Sequence, residues 1–269
     1  VVFCSISDPD AVNAGKVLLY PVGVTLRGYR NALQYQNIWI GYANTIFYTL
    51  LGTAVNLVVT LTCAYAISRK QLAGRNFFMI LFMVTMYING GLIANYLNMK
   101  SFGLLDSRWS MILPGAMSVY NMIVARTFFA SSIPEEITEA ARIDGCDEFG
   151  IFRKIVMPLS KAIVGVMVLY YGIGHWNSYF DAMIYLDDRK KFPLQLFLRE
   201  ILLQSKLLDV VSGVGSASAE ELAYLEEVAK TGELMKYCII IIATVPMLII
   251  YPRLQKFFEK GVMIGSVKG

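Results

Sequence analysis

Few residues in this 269-residue chain could do covalent chemistry, and their spacing argues against it. The one histidine, His175, is followed by Trp176 and has no second histidine or acidic cluster near it in sequence. A lone histidine in an apolar segment is expected to be a packed or hydrogen-bonded structural group. A nucleotide-phosphate loop needs GxxxxGK[ST]; here Gly15-Lys16 is followed by Val17, and position 10 is aspartate. Cys4, Cys63, Cys146 and Cys238 lie far apart without CxxC spacing, which argues against a metal centre or a disulfide framework. No nucleophile and base can be paired. The chain is therefore expected to have no catalytic residues, metal or cofactor of its own. Two concentrations of polar side chains remain. One is the charged stretch over 131–160; the other is Tyr170, Tyr171, Trp176, Asn177, Tyr179, Phe180 and Asp181, unusually polar and aromatic for one apolar segment.

The elements around these residues belong in a bilayer. The chain is 56% hydrophobic and 16% charged, against roughly 25% charged in an ordinary soluble domain. Mean hydropathy is +0.54. Asn31–Ser68, Asn76–Met99, Trp109–Ala125, Ala162–Phe180 and Tyr237–Pro252 contain no Asp, Glu, Lys or Arg. A helix needs about 20 predominantly apolar residues to cross the hydrocarbon core, fewer when its ends snorkel. Five spans are expected. VVFC at the start reads as the tail of a sixth, most of which lies before residue 1. The first full span, about 40–67, carries Asn44 and Asn56, as surfaces that face other helices do. The second meets Asn89-Gly90-Gly91 and should break there, which is tolerable only against protein or a watery cavity. A third, Trp109–Phe129, should kink or step at Pro114.

Charge sets the orientation. RKQLAGR between the first two full spans holds Arg69, Lys70 and Arg75 and no acid, which places it in the cytoplasm. Alternation then puts 131–160 and the tail after Arg253 inside, and 187–233 outside. The net charge of +4 is small and spread along the chain, so no nucleic-acid partner is expected.

The inner loop carries six acids: Glu135, Glu136, Glu139, Asp144, Asp147 and Glu148. Ser132-Ile133-Pro134-Glu135 reads as a capping box with proline in the first turn, opening a helix over about 134–144. Glu136 and Glu139 lie near the positive end of its dipole. Gly145 should supply a left-handed stop, and a second helix from about 147 should lead through Ile155 to Pro158, where the next span begins. Adjacent Ala140 and Ala141 should open the backbone to close approach. The shape is a short knob standing off the membrane; spacing alone leaves open whether it docks to a protein or is simply a solvated loop.

Glu139-Ala140-Ala141, three residues, Gly145, nine residues, Ile155, two residues, Pro158 resembles the cytoplasmic signature of permease subunits of bacterial binding-protein-dependent ABC importers. Asp144 stands in the usual IDG setting. Residues 101–137, 174–186 (GHWNSYFDAMIYL), 191–202 (KFPLQLFLREIL) and 255–269 (QKFFEKGVMIGSVKG) resemble the carbohydrate branch of that family. Within it they are most similar to second permeases of the maltose type that take up oligo- and polysaccharide fragments.

The resemblance implies an all-α integral membrane protein: a six-helix ABC importer permease with the first helix mostly missing, and a single transmembrane domain over 1–269. It implies a bacterial cytoplasmic-membrane location. The partners implied are a second, related permease, two ATP-binding subunits that bind the ATP and Mg, an extracellular solute-binding protein, and a carbohydrate cargo. The coupling loop 131–160 would seat Glu139, Ala140, Ala141, Asp144, Gly145, Ile155 and Pro158 against an ATPase, and the outer segment 187–233 would meet the binding protein. In that outer segment Ser218 and Glu221 read as a cap on a short helix, and the terminal GSVKG is expected to reach the ATPase interface. Rings, an amide and an acid suit a sugar's C–H faces and hydroxyls. If 170–181 were one helix, Trp176 and Asn177 would each lie one turn before Phe180, with Asp181 one turn after Asn177, forming a cargo patch. The competing reading of these residues is an aromatic belt at the outer interface. A rival for the whole chain is a membrane scaffold or receptor that recruits a cytoplasmic partner through the same knob.

Overall fold

The computed structural model describes residues 1–211 and 235–252, and among them every regular element is helical. In chain order these are α1 (Val2–Ser5), α2 (Pro9–Asn13), α3 (Arg27–Gln34), α4 (Gln36–Ser68), α5 (Arg75–Tyr87) and α6 (Gly91–Ser101). A 3-10 turn at Arg108–Met111 precedes α7 (Val119–Ser132) and α8 (Glu135–Ile143). Then come α9 (Glu148–Ile151), a π-helical turn at Phe152–Val156, α10 (Met157–Leu159) and α11 (Lys161–Trp176). The last are α12 (Phe180–Tyr185), a 3-10 turn at Arg189–Lys191, α13 (Leu194–Val211) and α14 (Met235–Pro252). The expected Ser218–Glu221 cap and the tail from 253 lie outside the described residues.

Among the described residues two helices, α4 and α14, are singly long and apolar enough to cross a membrane. Two bent pairs pass jointly: α5 with α6, bent by 114°, and Glu148–Leu159 with α11, bent by 84°. The first bend falls at the Asn-Gly-Gly break, where Gly91 adopts φ +79°. The expected span over 109–129 is not a continuous helix. Its first half is the 3-10 turn and a run of turns around Pro114, and α7 begins only at Val119, where the Ser118 hydroxyl accepts from Asn121 N–H at 3.4 Å. Proline offers no backbone donor, so the segment steps rather than kinks. A second difference lies in the expected outer loop, of which 194–211 is the 18-residue helix α13.

The described residues divide into two compact units: 1–46 with 177–211 and 235–250, and 47–176 with 251–252. The first gathers Ala32, Ile38, Leu194, Leu198, Cys238, Ile239 and Ala243 into its core. The opening turn of α13 is fixed there by α4. Thr45 Oγ1 accepts from Leu194 N–H at 2.8 Å, and Asn44 Nδ2 donates to the Lys190 and Phe192 carbonyls at 2.7 and 3.0 Å. Gly41 permits this approach, since a Cβ on it would stand 2.9 Å from Leu194 Cα.

The second unit has an apolar core of its own. Leu61, Tyr65, Met122, Phe129, Ile151, Val156, Ile163 and Met167 lie within it. A ladder of polar bonds also ties α4 to α11 and to the step before α7. Asn56, fully buried, accepts from His175 Nε2–H through Oδ1 at 2.6 Å and gives its Nδ2 to the Gly115 carbonyl. Thr60 Oγ1 lies 2.6 Å from the Tyr171 hydroxyl, which also accepts from Ser118 N–H at 3.1 Å. Such bonds satisfy irregular backbone where water is absent. Asn44 and Asn56 thus face protein, as their presence in an apolar span predicts. Gly52 lets the His175 ring lie against α4, because a Cβ there would fall 2.5 Å from it.

Candidate functional site

The knob forms in the second unit. Helix α8 starts one residue later than the sequence suggests and without the expected capping box: its N-cap is Pro134, no side chain bonds the free N–H groups, and Ser132 is still the last residue of α7. Glu135 and Glu136 in the first turn offset those donors electrostatically. On the exposed surface Glu135 meets Lys70 at 2.8 Å, and this contact holds its carboxyl below the ordinary carboxylate range. The helix stops at Asp144, and Gly145 takes φ +82°, with its N–H on the Arg142 carbonyl at 3.0 Å. Cys146 N–H bonds the Ala141 carbonyl at 2.9 Å, so consecutive donors close the helix end. Asp147 then caps α9, accepting from Gly150 N–H at 3.1 Å.

The predicted coupling residues fall on different sides of this knob. Glu139, Ala140, Asp144, Gly145 and Pro158 are exposed, while Ile155 is half-buried against the core. Ala141 is buried in that core, so only Ala140 opens the helix backbone to a visitor. Ile143 is 86% exposed and Phe149 65%, a large apolar exposure for a charged loop and one that the acid count does not reveal. Arg142 ties the two arms together through Glu148 at 2.6 Å, and Tyr65 donates to the same carboxylate at 3.0 Å.

The 170–181 group does not share a helix. α11 ends at Trp176 and α12 starts at Phe180, so the one-turn relations expected among Trp176, Asn177, Phe180 and Asp181 do not hold. Tyr171 and Trp176 are buried in the second unit, and the Tyr171 hydroxyl is engaged by Thr60 and Ser118; Tyr170 is exposed. Asn177, Tyr179, Phe180 and Asp181 are exposed and belong to the first unit.

Asn177 and Tyr179 line a cavity of about 450 Å³ in the first unit, together with Gln195 and Arg199 of α13 and Lys236 and Thr244 of α14. Gln195 Nε2 donates to Asn177 Oδ1 at 3.5 Å, and the Arg199 guanidinium lies 5.6 Å from the Tyr179 ring centre. Two amides, a phenol ring and two cations thus meet in one hollow. Sequence alone points to Asn177 and Tyr179 but not to Gln195, Arg199 or Lys236, because nothing local announces that α13 and α14 flank the break at 177–179.

Comparison with known proteins supplies the frame for both features. The signature of the binding-protein-dependent transport system inner membrane component matches residues 59–180, which takes in the whole knob. A polygalacturonan/rhamnogalacturonan transport system permease protein, YtcP of Bacillus subtilis (strain 168), is 38% identical over 100% of this chain and 91% of its own length. The chain belongs to that transport family. Protein LplC of the same organism is also 38% identical, over 93% of this chain and 81% of its own. Among solved structures, a bacterial ABC transporter involved in the import of the acidic polysaccharide alginate matches with a TM-score of 0.84. It is 34% identical and covers 96% of this chain and 88% of that one. This chain is accordingly an all-α membrane permease of an ABC importer.

Proposed function

We propose that this permease is one of a pair forming the path for an oligosaccharide delivered by an extracellular binding protein, driven by ATP hydrolysis on separate subunits in the bacterial cytoplasmic membrane. The observation that carries the coupling half is the knob itself, a pair of short helices closed by Gly145 at φ +82° and bearing exposed Glu139, Ala140 and Ile143. ATP-driven closure shifts the permease only through contacts that differ between its states. A rigid, exposed helix pair is a suitable transmitter. Glu139, Ala140, Asp144, Gly145 and Pro158 are assigned to the ATPase contact, with Ala141 and Ile155 holding the knob to the core. The 131–160 loop is cytoplasmic in this reading, and 187–233 lies outside.

On the cargo side, Asn177, Tyr179, Gln195, Arg199 and Lys236 suit a sugar bearing a carboxylate. The ring offers a face to the C–H groups, the amides bond hydroxyls, and the guanidinium fork matches a carboxylate. The cargos named for YtcP and for the alginate importer are uronate-rich polymers, and that supports an acidic oligosaccharide here. The test is uptake of labelled trigalacturonate and of neutral maltotriose by cells that depend on this permease. Acid-selective uptake that falls about tenfold on Arg199→Gln is expected. Equal uptake of both sugars, unaffected by that change, would remove the acidic assignment.

A further inference from the structure

The second unit holds a hollow that the transport path leaves unused. It measures about 420 Å³ and lies between the last turns of α4, the 69–72 turn and the arms of the knob. Tyr65, Leu72, Phe149 and Phe152 give it an apolar wall. Its charged lining is Arg69, Arg142 and Glu148, and the last two are paired with each other at 2.6 Å. Arg69 is left as the surplus cation. Its guanidinium stacks 4.4 Å from the Tyr65 ring centre, but Nε and Nη2 are buried without a hydrogen-bond partner. Stacking uses the flat face of a guanidinium and leaves its in-plane N–H donors unsatisfied, which is costly for a charged group out of water.

An anion with an apolar body completes this site. Helix α4 has 33 residues, about 50 Å at 1.5 Å per residue, against a hydrocarbon core of about 30 Å. The helix therefore outruns that core, and its final turns, which line the hollow, lead into the basic 69–75 turn. We infer that this hollow holds the phosphate of an anionic phospholipid of the inner leaflet, with Arg69 on the phosphate and an acyl chain running back towards the bilayer along Tyr65 and Phe152. The leaflet rests on the cytoplasmic placement of the 69–75 turn. Because the hollow joins α4 to both arms of the knob, a bound lipid braces the knob against its span.

The importer assembled with its partners tests this by native mass spectrometry in mixed phosphatidylglycerol and phosphatidylcholine. The wild type is expected to retain phosphatidylglycerol preferentially, and Arg69→Gln to lose that preference about tenfold. Arg153→Gln, an exposed cation outside the hollow, should leave it unchanged. Gln71→Glu, exposed and nearly isosteric, adds a repelling charge at the lining and should weaken retention even if Arg69→Gln assembles poorly. Unchanged preference in both lining variants overturns the site. Loss of an ATP-binding subunit from Arg69→Gln with lipid retention intact overturns it too, in favour of an acidic side chain of that partner. An impermeant thiol reagent on Ala73→Cys checks the leaflet independently: labelling from the cytoplasmic side is expected, and labelling from outside overturns the inner-leaflet assignment.

Discussion

The knob at 134–158 and the stretch at 170–181 both interrupt helices, but by different means. At the knob the interruption is written locally: Gly145 sits at φ +82°, Asp147 caps the next arm, and Pro158 precedes the bend at Ser160. Between α11 and α12 the break at Asn177-Ser178-Tyr179 contains neither glycine nor proline. It follows from packing: Trp176 is buried in one unit, while Asn177 and Tyr179 line a cavity in the other. A break set by local backbone chemistry makes a rigid part that can transmit force. A break set by packing leaves exposed polar side chains around a hollow, which suits transient contact with cargo.

The contrast predicts different responses to substitution. The largest effect is expected at Ala141, which is buried in the core beneath the knob, whereas Ala140 beside it is exposed. Ala141→Trp should abolish the purified complex by overpacking. Ala140→Trp should leave the complex intact and stop uptake by obstructing the ATPase contact. Size-exclusion chromatography with a vesicle uptake assay separates the two, and equal behaviour would mean that the faces are misassigned.

Gly145→Val comes next. No atom lies within 4 Å of the Cβ position, so the whole penalty is backbone, about 1–2 kcal/mol for a left-handed residue and more when it is β-branched. The complex should insert and assemble, with uptake down at least tenfold and ATP hydrolysis no longer answering to the binding protein. Normal uptake would show that the turn is not a transmitting element.

Asn56→Ala should act on stability alone. It orphans the Gly115 carbonyl and His175, a loss of about 1–2 kcal/mol, between the average for interhelical bonds in membranes and the cost of buried orphans. A lower midpoint of thermal aggregation, with uptake per folded complex unchanged, is the expected result.

The smallest effect belongs to Lys70 and Glu135. Their contact lowers the carboxyl's folded pKa, so what it contributes is present above the ordinary carboxylate range and is lost as pH falls through the lowered value. Both groups are exposed, and solvent screens the pair. Glu135→Gln should leave thermal stability unchanged near neutral pH; a clear drop would mean that the pair anchors the knob.

How far the sequence alone reached follows the same division. The knob, its glycine stop and the broken second span were legible because each rests on residues within one or two turns of each other. Asn44 and Asn56 in the first full span announced protein contact, and both make it, with Thr60 beside them. The step before α7 was half legible: Pro114 marked the place, but the Ser118 cap and the Asn56 bond to Gly115 decide that the helix restarts at Val119. Helix α13 was hidden in a segment read as an outer loop, although Leu194, Leu196, Phe197 and Leu198 fill its buried side. The cavity needed three elements far apart in sequence, and no periodicity joins Asn177 to Arg199 and Lys236.

In the proposed mechanism the knob seats against an ATP-binding subunit. A photo-crosslinking amino acid in place of Glu139, exposed on α8, tests it most directly in the assembled importer within membrane vesicles. A crosslink to an ATP-binding subunit is expected, its yield changing as ATP and the binding protein are added. Crosslinks confined to lipid, or to the outer binding protein, would contradict it.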